Sequence, residues 1–150
     1  MRAIAGLSEF RELVGQELGV GSWITVTQEM IAEFADITSD HQWIHVDTDR
    51  AQSGPFGTTV AHGYLTLSLL PALTREVFVI DGLSMAINYG LNRVRFPSPV
   101  RSGSRIRNRA SLVSLEPAKK GMQAVILNQI DIEGSDAPAC VAESVSLLVP

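Results

Sequence analysis

The 150-residue chain has a single cysteine, Cys140. One thiol cannot form an internal disulfide, and a cysteine-built zinc site lacks its ligands, so a reducing cytoplasm is the expected location. Long apolar runs are also missing. The opening MRAIAGLSEFRELVGQ has no continuous hydrophobic core of the kind a secretory signal needs, and no later segment reaches the length of a membrane span. A soluble chain without a membrane partner is expected. Positive charge is in deficit as well: 12 Lys and Arg stand against 16 Asp and Glu, a formal net charge of −4. Neutralising phosphates needs a net basic face, so this balance argues against a general nucleic-acid binder. No internal repeat or low-complexity linker is present.

What remains is a globular balance, 45% hydrophobic and 19% charged, far from the polar signature of disorder. The length suits one domain over residues 1–150. Residues 8–14 predict a short helix capped by Ser8, and glycines at 15, 19 and 21 then interrupt the chain. SWITV reads as a strand, after which Thr27 caps a helix carrying Ile31, Phe34 and Ala35 on one face. That helix delivers the chain to Asp40.

Beyond His62-Gly63 the run YLTLSLLPALTREVF is apolar on almost every side, which predicts a buried helix. Pro71 removes one backbone donor inside it, so a kink is expected there. The texture then changes. LSMAINYGLNRVRF, RIRNRASLVSLE, MQAVILNQIDIE and CVAESVSLLV alternate polar with apolar residues, with a bulge expected at Gly90 and turns at PAKKG and GSDAP. Strands in succession make an antiparallel meander, and the fold class is α+β with the sheet curved around the long helix.

Chemistry concentrates in TSDHQWIHVD, residues 38–47. A metal site would use His41 and His45, four apart, with Asp40 and Asp47 as carboxylate ligands. The zincin pattern requires Glu immediately after the first histidine, and Gln42 stands there instead. An acid–base pair is the second reading: Asp40 and His45 lie five residues apart around a bend and can converge on one water, histidine titrating near neutrality. In the third, Asp40 caps a turn, His45 is a hydrogen-bonded core histidine and Asp47 caps TDRA. The residues alone leave these open.

A second stretch, VAHGYLT, sets Gly63 at the entrance of the expected helix, where its N–H has no helical acceptor. Such a donor can hold a developing enolate oxygen, or glycine can be needed only for a tight turn capped by His62.

FADITSDHQWIHVDTDRA resembles the pattern of the MaoC-like dehydratases, or (R)-specific enoyl-CoA hydratases, of the hot-dog fold: Phe-Ala, a short gap, Asp, four residues, His, one residue, Asp and a later Ala. VAHGYLTLSL is similar to the family's entrance to its central helix, and GLNRVRFPSPVRSGSRI to the strand and Pro-rich turn that follow, so the resemblance covers nearly the whole chain. The family commonly has Gly before the aspartate and Asn-Pro in the loop, where this chain has Ser39, Gln42 and Trp43. The resemblance implies that Asp40 and His45 are the catalytic pair that activates water and that the Gly63 amide is the oxyanion donor. The implied reaction is reversible hydration of trans-2-enoyl-CoA to (R)-3-hydroxyacyl-CoA in fatty acid metabolism, with no metal or other cofactor, in a homodimer. Two rival readings keep the fold: an acyl-CoA thioesterase, and a non-catalytic acyl-CoA-binding partner subunit.

Other residues carry weaker signals. Asn88, Tyr89 and Asn92 could orient His45 or satisfy a bulge beside Gly90. Arg93, Arg95, Arg101, Arg105, Arg107 and Arg109 form a locally basic strip suited to coenzyme A phosphates or to plain solvation. Tyr64, Leu65, Leu69, Leu70 and Leu73 fit either an acyl tunnel or a core, and Trp43 either covers the site or simply packs.

Overall fold

The computed structural model describes residues 1–150. The chain runs β1 (Arg2–Ile4), α1 (Leu7–Glu12), β2 (Glu17–Val20), β3 (Ile24–Thr25), α2 (Gln28–Thr38), α3 (Trp43–Val46) and α4 (Thr48–Gln52). It continues as α5 (Gly63–Ser68), α6 (Leu70–Arg75), β4 (Phe78–Ile80), β5 (Met85–Arg95), β6 (Arg105–Ala118), β7 (Gly121–Ile132) and β8 (Cys140–Val149).

The expected meander is β6-β7-β8, antiparallel throughout. Its two flanks are decided over longer range: β2 and β3 add to β6, and β5 pairs with β8 at the opposite edge instead of with β6, its neighbour in sequence. Alternation turns the inner face of β6 toward the core as Ile106, Asn108, Ala110 and Leu112. A bulge between Leu112 and Ser114 shifts the phase by one, so the next buried residue is Leu115. The bulge expected at Gly90 is there, as a register shift between Asn88 and Gly90.

The long helix is divided into two short ones at a single residue. Leu69 is a turn, and α6 begins beyond it with Pro71 in its first two positions, where a missing N–H costs nothing. The irregularity expected from Pro71 is confined to Leu69, which keeps right-handed helical dihedrals and helical bonds on both sides, and the end of the apolar run becomes β4. Leu65, Leu70 and Leu73 pack with Ile106, Ile130, Cys140 and Ala142 from the sheet in one half of the core. Phe10, Leu18, Val77, Leu112 and Leu148 belong to the other half.

Several N-terminal expectations need correction. Gly6, not Ser8, is the N-cap of α1, and Val14 is exposed. The glycine-interrupted stretch forms β2 because Gly19 bends the strand at a register irregularity against β6, while only Ile24 and Thr25 of SWITV are paired. The parallel pairing of β1 with β4 has no signature in so short a segment. Thr27 caps α2 as expected, accepting from the Met30 N–H at 3.2 Å.

Candidate active site

α2 ends at Ser39, which takes the left-handed conformation at φ 59° and turns the chain out of the helix. Asp40 follows in an exposed segment without regular structure. It caps no helix, since α3 has Gln42 at its N-cap. Asp47 is the cap expected of it, accepting from the Arg50 N–H at 3.0 Å.

α3 is a single turn that turns His45 inward, 7% exposed. His45 is held at both ends. Its Nδ1 bonds the Val60 carbonyl at 2.6 Å, and a carbonyl only accepts, so Nδ1 carries the hydrogen and Nε2 of the neutral ring keeps a lone pair. Its own carbonyl accepts from Gln28 Nε2 at 2.8 Å, and the Thr59 hydroxyl donates to Gln28 Oε1. Because Thr59 adjoins Val60, these bonds close a ring around the imidazole. Burial pushes His45 below its ordinary value of 6.5; the Val60 bond opposes that shift, nearby His62 adds to it, and Asp40 opposes it.

The structure gathers Asp40 and His45, as expected, and brings His62 to them. One donor atom of each side chain lies within 4.8 Å of the other two. His62 does not cap α5 with its side chain; its Nε2–H donates to the Asp40 backbone carbonyl at 2.9 Å. Its ring stacks on His45, centroids 3.7 Å apart and planes at 24°. Imidazole lone pairs lie in the ring plane, so those of two stacked rings stay in separate, nearly parallel planes. A shared ion needs each nitrogen about 2.0–2.1 Å away along its lone pair, which this stack does not suit. His41 lies apart from the cluster, its Nε2 paired with Asp36 at 2.8 Å on the surface.

Gly63 opens α5, and its N–H has no acceptor in the chain. It shares with His45 a cavity of about 300 Å³, walled by Ile44, Phe56, Val60 and Phe96 among others. A Cβ on residue 63 would meet the Phe96 ring at 3.1 Å, so packing also calls for glycine there.

The weaker candidates sort clearly. Arg105 pairs with Glu133, Arg107 with Asp131, and Arg109 with Glu17 and Asp131, while Trp23 stacks under Arg107. That half of the basic strip is neutralised. Trp43 lies against Gly54 and under Arg50 and does not line the site cavity. Asn92 bonds Glu143, and Asn88 and Tyr89 line a larger cavity of about 840 Å³ between α6 and β5, away from His45. Of the five helix residues considered for a tunnel, only Leu70 reaches that cavity. Gln28, Thr59 and the second imidazole were not legible as site residues, though His62 immediately precedes Gly63.

Comparison with known proteins decides the family. The model of the MaoC like domain matches residues 9–133. The chain belongs to the MaoC-like domain family. It is 50% identical over 146 residues to the 3-hydroxyacyl-thioester dehydratase Z of Mycobacterium tuberculosis, covering 97% of both proteins. It is 44% identical over 149 residues to nodulation protein N of Rhizobium meliloti, covering 94% of this chain and 89% of that one. Among solved structures, the unliganded (R)-hydratase from Pseudomonas aeruginosa superposes with a TM-score of 0.72 at 20% identity, covering 91% of this chain and 81% of the other. The MaoC-like chain therefore has the hot-dog fold, α+β in class, and its family includes named dehydratases and hydratases, which are hydro-lyases.

Proposed function

We propose that this MaoC-like protein is an (R)-specific enoyl-CoA hydratase, with Asp40 and His45 as its acid–base pair and the Gly63 amide as oxyanion donor. The observation that carries the reading is the convergence of the Asp40 carboxylate on a buried imidazole that shares a cavity with the unpaired Gly63 N–H. The thioester withdraws electrons from the double bond. Water oxygen adds to C3 as the pair takes its proton, the charge passing through the thioester oxygen meets the Gly63 N–H, and the pair returns a proton to C2. Both groups address the same water, so the role is assigned to the pair. One water supplies both the hydroxyl and the proton, and the step balances without a metal or redox group.

The partner in this reading is a second copy of the chain. β5 pairs only with β8, so its outer edge is unpaired over 11 residues, and Met85, Ile87, Tyr89 and Leu91 on it are exposed. A long apolar edge is an aggregation hazard, and pairing across a two-fold axis covers it.

The test follows loss of enoyl-thioester absorbance with crotonyl-CoA and a longer trans-2-enoyl-CoA, with chiral analysis of the product. (R)-3-hydroxyacyl-CoA is the expected product. Release of free thiol without hydration would replace the reading with a thioesterase, and binding without turnover would replace it with a non-catalytic subunit.

A further inference from the structure

No step of the proposed reaction uses His62, yet it is among the most enclosed polar side chains of the protein, 3% exposed. Its Nδ1 is buried with no hydrogen-bond partner. An acceptor buried in that state carries a desolvation penalty that a phenylalanine in the same slot would avoid. The compensation lies at the other nitrogen: Nε2–H holds the carbonyl of Asp40 at 2.9 Å. Asp40 needs such a hold, because it lies between α2 and α3 in an exposed segment without regular structure. The ring itself is fixed by His45 on one side and by Phe34, whose centroid is 5.0 Å away. His45 and Asp40 are the titratable groups gathered with it.

We propose that His62 is a positioning residue, tethering the Asp40 peptide and backing the His45 ring so that carboxylate and imidazole approach the same water. This rests on the reading of Asp40 and His45 as the acid–base pair. Because His62 directly precedes Gly63, the tether also sets the distance from the pair to the oxyanion donor. One side chain thereby ties together the loop after α2, the turn α3 and the start of α5.

The full-length protein is assayed with crotonyl-CoA as wild type, His62→Phe and His62→Gln. Phenylalanine keeps the packing and loses the tether: kcat should fall roughly ten- to a hundredfold, the scale of a misplaced reacting group, with KM little changed and thermal stability retained. Glutamine offers an amide N–H in the place of Nε2 and should recover most of that loss. In both variants the acid limb of the kcat/KM profile set by His45 should move to higher pH, since His62 no longer opposes protonation of its neighbour. Wild-type kcat with an unmoved limb in His62→Phe overturns the inference. If that variant does not fold, His62→Asn, whose shorter amide does not reach the Asp40 carbonyl, takes its place, and wild-type kcat in it overturns the inference in the same way. Undiminished hydration by Asp40→Asn or His45→Gln would instead remove the pair itself; losses there beside an indifferent His62 would remove only the tether.

Discussion

At the scale of single residues, His45 is the centre of the proposed chemistry, and its surroundings leave it little freedom. The Val60 bond sets the tautomer, the Gln28 bond sets the backbone, and burial favours the uncharged ring. Replacing either member of the pair, by Asp40→Asn or His45→Gln, should lower hydration about a hundredfold or more, the usual scale for a general acid–base. Steady-state kinetics of the purified variants checks this. The lowered His45 value also makes a stability prediction with a definite sign. Below 6.5 the unfolded chain takes its proton before the folded protein does, so stability falls with pH until the folded His45 titrates as well. The unfolding temperature should therefore drop as the pH is lowered through 6.5, and His45→Gln should flatten that slope. Prolonged treatment with EDTA should leave the hydration rate unchanged; a loss restored by zinc would reopen the trio of Asp40, His45 and His62 as a metal site.

At the scale of elements, the exit from α2 is strained. Ser39 is the only non-glycine residue with positive φ, and a side chain in that region costs energy that glycine avoids. Ser39→Gly should stabilise the protein by roughly 0.5–1 kcal/mol, the left-handed cost less the backbone entropy of glycine, read as a rise in unfolding temperature. The β6–β7 hairpin is the converse case. Gly121 has φ 130°, and a Cβ there would stand 2.1 Å from the Leu148 carbonyl oxygen on β8. No flexible group can yield at that point, so Gly121→Ala should cost roughly 3 kcal/mol, measured by denaturant unfolding. Cys140 contributes to packing alone: it is fully buried on β8, and burial pushes its thiol up to about 11.

At the scale of the whole molecule, β5 is the longest edge strand of the sheet without a partner inside the chain. The doubly substituted Ile87→Lys/Tyr89→Lys protein places like charges on that edge and should run as a monomer in light-scattering chromatography, where a dimer is expected of the wild type. An unchanged mass would mean that the copies meet elsewhere. No helix of the chain is long and apolar enough to cross a membrane.

Much of this was legible from the sequence, for a physical reason. Alternation, helical spacing, the Thr27 and Asp47 caps and the Gly90 bulge depend on residues a few positions apart, and each stands where local chemistry puts it. The Asp40–His45 spacing carries across one turn of chain and is local in the same sense. Tertiary structure alone decided the rest. β5 lies beside β8 and not beside β6, its neighbour in sequence, and no local pattern encodes which edge it joins. Arg105, Arg107 and Arg109 lose their apparent freedom because acids from β2, β7 and the loop after it face them. His62, 17 residues beyond His45, stacks on it only once the loop between them folds back and Val60 meets both Ile44 and the His45 ring.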